Sequence, residues 1–414
     1  MPFTALHRRL GDPPGPLTDD MIDRAIAQEL QETDDLDWKS ELPPLGAIPS
    51  SDFPKDVAAM ANSGGGTLVF GVTEAHKAAS GRRDTGELTE GYERGLRSAA
   101  VTAISPPVFG LEVVQLGDPG NQCVVVVIPP SVDGPHLIYK KDYFGAPIRN
   151  DADTVWMKER QIEAMYRARF DDRRRSAEVL DKLYSESAAM RSPDGPAWIV
   201  AVAHPRLPSK LPNRPDQTVA RMAFEEAGKN ALVYVGRGSP HPLGNVDRSN
   251  PRPGLRRWTA RPMIDGDSRR WQEAWFSIHD DGSVSLAAAV GGHRRSSTEY
   301  NDDHVLKSRD VEVAIADFMG MIREASDRLS LGEYEVKVGF EWNKTERLQI
   351  WTTDGMNCSY SGSTIPLAQY TPVEVTVRAD ADSRDFYQQV HDIALDCVNQ
   401  GGIAHVQTIS PPSA

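Results

Sequence analysis

The chain has 414 residues, of which 39% are hydrophobic and 25% charged, an ordinary globular balance with room for two or three domains. Its formal net charge of −13 excludes a generally basic surface and leaves only local basic patches for any polyanion. The longest apolar run, Cys123–Ile128, is far too short to span a bilayer, and Cys123, Cys358 and Cys397 lack the spacing of a zinc ribbon or a disulfide framework.

Residues 1–16 are rich in Pro and Gly and read as a flexible arm without the apolar core of a signal peptide, so a cytoplasmic protein is expected. Thr18 can cap a helix whose stripe is Ile22, Ile26 and Leu30. Leu36 to Lys39 reads as a short strand, with Leu36 and Trp38 on one face and Asp37 and Lys39 on the other. Pro54 suits the first turn of a helix that runs from Phe53 to Asn62 and ends at Gly64, Gly65 and Gly66. Strands are predicted over Thr67–Val72, Leu111–Leu116 and Cys123–Ile128, and a strand pair over Tyr139–Arg149 turning near Asp142. Thr154 is read as opening a helix that carries Ile162, Met165, Tyr166 and Phe170, and residues 171–192 as a linker helix beginning with Arg173, Arg174 and Arg175.

From Pro193 the pattern changes. A strand over Trp198–Ala203, a Gly-, Pro- and Arg-rich stretch over 236–270, and a hairpin over Ala274–Val290 precede a helix over Val311–Leu329. Strands over Tyr334–Trp342, Leu348–Thr353 and Val373–Arg378 and a helix capped by Ser383 complete the chain. The fold class is α+β in both halves, with residues 17–170 as the first domain and 193–414 as a second.

Four blocks in the first half stand in a telling order: Glu32 to Lys39; Asp56 to Glu74; Val124 to Pro129, continuing to Pro135 and His136; and Pro147 to Thr154. Together they resemble the AlbA-like domain of Schlafen proteins and their bacterial relatives. The second block, with Asn62 before the three glycines, is the most specific. Asp37 stands where that family's pattern has Glu, and Asn150 and Asp151 replace its glycine after Arg149. The resemblance implies a mixed sheet with helices and a nucleic-acid partner, DNA or RNA. Similarity to mammalian Schlafen nucleases implies a carboxylate trio, for which Glu32, Asp37 and Glu74 are the matching positions. Such a trio could hold Mg²⁺ or Mn²⁺ for hydrolysis of a phosphodiester, with Lys39 on a phosphate oxygen.

Gly64, Gly65 and Gly66 could cradle a phosphate, but no G-K-[ST] follows, so a Walker site is absent and ATP is not expected. The plainer reading is a helix end and a tight turn. Lys140, Lys141 and Arg149 flank Tyr139, Tyr143 and Phe144, mixing cations with stacking surfaces. Arg173, Arg174 and Arg175 form a second basic run, and Arg252, Arg256, Arg257, Arg261, Arg269 and Arg270, interleaved with Trp258 and Trp271, form a third. The leading expectation is a nucleic-acid-binding protein whose second half senses or recruits, with metal-dependent nuclease activity as an option that the carboxylate trio leaves open. The alternatives are a DNA-binding regulator without catalysis and an ATP-dependent protein. No membrane partner is expected; the second half is the place for a protein partner or a second copy.

Overall fold

The computed structural model describes residues 3–140, 143–191, 195–207, 215–235, 241–263, 272–293, 299–329, 331–353, 359–360 and 364–410. The chain is α+β and divides into two compact units, Met1–Arg174 and Arg175–Ala414.

In the first unit the helices are α1 (Ala5–Leu10), α2 (Asp19–Ala27), α3 (Phe53–Asn62) and α4 (Glu90–Thr102). The strands are β1 (Leu36–Lys39), β2 (Gly66–Phe70), β3 (Val72–Ala75), β4 (Ala78–Arg82), β5 (Ile104–Ser105), β6 (Glu112–Leu116), β7 (Cys123–Ile128), β8 (Leu137–Lys140), β9 (Tyr143–Gly145), β10 (Pro147–Asn150) and β11 (Asp153–Trp156). The central sheet has the order β1-β2-β7-β6, parallel between β1 and β2 and antiparallel elsewhere. Both faces are covered, which explains the uninterrupted apolar run of β7. Leu68, Phe70, Val124 and Val126 pack with Val57 and Met60 of α3 and Leu96 of α4. Val69, Val125, Leu36 and Trp38 pack on the other face with Leu6 of α1 and Ile22 of α2.

Two expectations are corrected here. The N-terminal arm is docked: Leu6 is fully buried and Arg8 pairs with Asp35 at 2.5 Å. Thr154 does not open a helix. It lies in β11, which pairs with β10, and Asp151 takes the left-handed conformation at the intervening turn, with φ +56°. Asp tolerates that region better than most non-glycine residues. The helix, α5 (Glu159–Ala188), starts later and runs without a break through the stretch read as a linker.

The second unit contains α6 (Gln217–Tyr234), α7 (Ser308–Leu329) and α8 (Ser383–Asn399). Its strands are β12 (Trp198–Pro205), β13 (Arg252–Gly254), β14 (Arg257–Ala260), β15 (Ala274–His279), β16 (Val284–Ala289), β17 (Val305–Lys307), β18 (Glu333–Glu341), β19 (Gln349–Thr353), β20 (Ser359–Tyr360) and β21 (Val373–Arg378). An antiparallel sheet of order β13-β14-β15-β16-β12-β18-β21 shares one large core with the three helices. Helix α7 is buried nearly all round, and Gly320 lets α6 approach, since a Cβ there would meet the Ala227 carbonyl at 2.7 Å. The buried carboxylate of Glu312 accepts the Gln407 and Thr408 amides and so ties down the C-terminal segment. Among the described residues no helix is long and apolar enough to cross a membrane.

Candidate functional site

Three of the signature residues turn out to be fasteners. The Asn62 side chain, at the end of α3, donates to the His136 and Pro147 carbonyls at 3.0 and 2.8 Å and accepts the His136 amide at 2.7 Å. One buried amide therefore satisfies three backbone groups and fixes the roots of β8 and β10 against α3. Gly65 has φ +88°, and a Cβ there would meet Pro130 N at 2.7 Å and Ile128 O at 2.8 Å. Gly65 and Gly66 thus serve close packing, Gly66 against the Met60 side chain and the Asp35 carbonyl, whereas a Cβ on Gly64 would meet nothing within 4 Å. Arg149 is buried, with its guanidinium donating to Asp37, Thr154 and the Thr33 and Ala152 carbonyls. A guanidinium committed to these acceptors is not offered to a phosphate, so Arg149 leaves the set of nucleic-acid contacts.

Around Arg149 lies a charged cluster beside the edge strand β1. Strand alternation sends Asp37 and Lys39 away from Leu36 and Trp38, toward Asp56 on α3. Lys39 Nζ stands 2.6 Å from Asp37 and 3.7 Å from Asp56. Burial works against the Lys39 ammonium, but Asp37 and Asp56 outweigh it and hold its pKa above the ordinary value. Burial pushes the Asp56 carboxyl up to about 6. Glu32 accepts the Trp38 amide at 3.1 Å, and Glu74 of β3 lies within hydrogen-bonding reach of it. Burial, followed by the neighbouring Asp37 and Glu74 charges, raises Glu32 to about 7.

The carboxylate trio is thus only partly assembled. Glu32 and Glu74 come together, whereas Asp37 is held by Lys39 and Arg149. Among the described residues no three His, Cys, Asp or Glu side chains gather as a metal site would need. With Asp37 bound to two cations, the set as arranged does not fit a hard divalent ion.

The raised Glu32 carboxyl has a consequence for stability. The folded state holds this proton more tightly than the unfolded chain, so stability associated with Glu32 is complete below about 4.5 and is lost as pH rises to about 7. Glu32→Gln keeps the acceptor for Trp38 and removes the buried charge. It is expected to stabilise the protein by about 1–2 kcal/mol at pH 8, allowing for partial solvent screening, and by almost nothing at pH 4. Urea titrations of both proteins at the two pH values measure this; a difference independent of pH would contradict it.

A second feature lies on the β8–β9 hairpin. Tyr139, Tyr143 and Phe144 are 57%, 67% and 56% exposed, an unusual state for three large rings within six residues. Tyr139 and Phe144 sit opposite each other across the hairpin, with ring centroids 5.5 Å apart. Trp156 of β11, about half exposed, lies against Gly145, where a Cβ would come within 2.6 Å of the indole. The root of this hairpin is firm: Leu137 and Ile138 are buried, and Asn62 holds His136. Lys141 and the side chain of Lys140 fall outside the described residues.

The remaining basic candidates differ in availability. Arg173 lies 3.2 Å from Asp133 and Arg174 3.2 Å from Asp171, with both guanidinium groups more than half exposed. Arg175 is exposed and has an interaction partner. Arg256 is exposed, and Arg257 sits 3.6 Å from Glu186. Arg269, Arg270 and Trp271 lie outside the described residues.

A helix-covered mixed sheet with a fastened aromatic hairpin and an edge-strand charge cluster defines the class of the first unit. Residues 32–158 match the family described as Schlafen, AlbA_2. No curated protein matches the chain. Among solved structures it is similar to the DIP2311 protein from Corynebacterium diphtheriae, at 16% identity over 36% of this chain and 28% of that one, with a TM-score of 0.25. It is also similar to the N-terminal domain of an ATP-dependent DNA helicase RecG-related protein from Nitrosomonas europaea, at 21% identity over 35% of this chain and 94% of that one, with a TM-score of 0.26. The chain thus spans less than a third of the length of the first of these.

Proposed function

We propose that the first unit binds single-stranded nucleic acid, with the β8–β9 hairpin as a stacking platform. The observation that carries this reading is the exposure of Tyr139, Tyr143 and Phe144 on a hairpin whose root is buried. Water-exposed rings on a rigid support offer flat faces to unpaired bases, and stacking tolerates any base sequence. Lys140 and Lys141 stand at the hairpin turn in the sequence, and cations beside stacking rings attract the phosphates of the same strand. The Schlafen AlbA_2 match fits a nucleic-acid role. Fluorescence anisotropy with labelled single-stranded DNA and RNA tests it: affinity should fall steeply with added salt and exceed that for a blunt duplex. Salt-insensitive binding, or none at low salt, overturns the proposal.

A second reading adds cleavage, and the observation in its favour is the crowded pair Glu32 and Glu74. Glu32, Glu74 and Asp37 are the residues through which Mg²⁺ or Mn²⁺ would have to act, and Lys39 and Arg149 would have to release Asp37 first. Incubation with transfer RNA, ribosomal RNA and single-stranded DNA plus Mn²⁺ decides it. Strand loss that the Glu32→Ala/Asp37→Ala double variant abolishes supports cleavage; intact strands, or loss equal in the variant, leave the chain a binder.

A further inference from the structure

The β8–β9 hairpin is paired to the rest of its sheet at the root, where Ile104 and Ser105 of β5 stand opposite Ile138 and Leu137, and β9 is the outer strand. Side chains alternate between the two faces of a strand. The root residues accordingly point opposite ways. Leu137 packs with Ala146, Ile162 and Met165, whereas Ile138 joins the core of α3 and α4. Beyond the root the same alternation continues into solvent. Tyr139 stands opposite Phe144, so their rings share the face of Leu137. Gly145 stands opposite Ile138, so Tyr143, two positions before it, shares the other face.

Trp156 belongs to this second face. A Cβ on Gly145 would lie 2.6 Å from the indole, on the side to which Tyr143 points, so the glycine leaves room for the ring. Backbone pairing with Pro147 and burial of the next residue, Met157, against Ala146 hold the indole there. It is nevertheless about half exposed, beside the mostly exposed Tyr143. The hairpin thus shows large rings to water on both faces at once.

Resting on the single-strand reading above, we propose that the hairpin carries two stacking stations back to back, Tyr139 with Phe144 and Tyr143 with Trp156. One continuous strand engages both by passing around the β9 edge. A flat protein surface covers one face at a time, and a duplex keeps its bases stacked inside, whereas an unpaired strand can bend over the edge and lay a base on each side. Lys140 and Lys141 lie at the tip in the sequence, close to where the phosphates cross. Each station alone binds weakly. Joined by one strand, the second contact becomes intramolecular, which raises affinity by about 10²–10⁴ without any new contact.

The test measures the affinity of the full chain for thymidine oligonucleotides of about 4 and about 16 nucleotides, the span over which single-strand sites fall. The short probe reaches one station and the long probe both, so the long one should bind at least about 100-fold more tightly. Tyr143→Ala/Trp156→Ala should remove most of that advantage while changing short-probe affinity by no more than about twofold, since one station remains. Tyr139→Ala/Phe144→Ala should do the same from the other face. Trp156→Phe keeps a ring beside Gly145 and should keep most of the advantage, which separates stacking from damage to the fold. If Tyr143→Ala/Trp156→Ala retains the full advantage, the platform is one-faced; this proposal falls and single-strand binding stands. Binding of neither probe takes the single-strand reading down with it. A chain that sediments as a dimer until Tyr143 and Trp156 are replaced would assign that face to a second copy and likewise overturn the proposal.

Discussion

Truncating Tyr143 and Phe144 together to alanine is expected to weaken single-strand binding by at least about 30-fold, since each stacked ring contributes about 1–3 kcal/mol. Both side chains are mostly in water, so the fold should lose little, and the melting temperature serves as the control. The salt slope should stay the same, because no phosphate contact is removed. This separates the rings from the lysines: Lys140→Ala/Lys141→Ala should instead reduce the slope. Unchanged affinity in the Tyr143→Ala/Phe144→Ala variant would remove the platform from the account.

The second large effect falls on stability. Asn62→Ala deletes one amide but strands the His136 amide and the His136 and Pro147 carbonyls in a buried place. Unsatisfied buried groups cost more than the bonds themselves contribute, so a loss of about 3–5 kcal/mol is expected. In a unit of this size that lowers the melting temperature by about 8–15 °C. Calorimetry of the full chain measures it. Because Asn62 anchors the root of the aromatic hairpin, single-strand affinity should fall as well, even at temperatures where the variant is folded. A cost below about 1 kcal/mol would show that water replaces the amide easily.

The sequence revealed much of this architecture where patterns are local. The alternation in Leu36–Lys39 placed Asp37 and Lys39 on one face, and the structure pairs them at 2.6 Å. The apolar run at Cys123–Ile128 forms a strand covered on both faces. Other elements carry weak signals. Helix α4 contains Gly91 and Gly95, each costing about 1 kcal/mol of helix propensity, and buries only Leu96, Ala99 and Ala100. The β3–β4 turn uses His76 and Lys77, both at positive φ, where Asn-Gly would have announced a hairpin. Thr154 satisfies a helix-cap pattern and a β-strand preference equally well, and the turn at Asp151 decides between them.

The candidate site was less legible for a related reason. Arg149 beside aromatic residues reads as a surface cation, but its partner Asp37 lies 112 positions away, and burial of that pair is a property of the sheet. The same long-range contact spends the carboxylate that the trio needed. Conversely, Asn62 and Gly65 are recognisable as a motif because the fold requires them, so the most specific part of the resemblance reports architecture before chemistry.

The central claim, that a nucleic-acid strand lies on the β8–β9 hairpin, is tested most directly by photo-crosslinking. The full chain would be irradiated with a single strand carrying a photoreactive thiolated base, and the attached peptides identified by mass spectrometry. Adducts are expected on the peptide that contains Tyr139, Tyr143 and Phe144, with Trp156 as a secondary site. Efficient crosslinking confined to other peptides, with this hairpin unlabelled, would contradict the account.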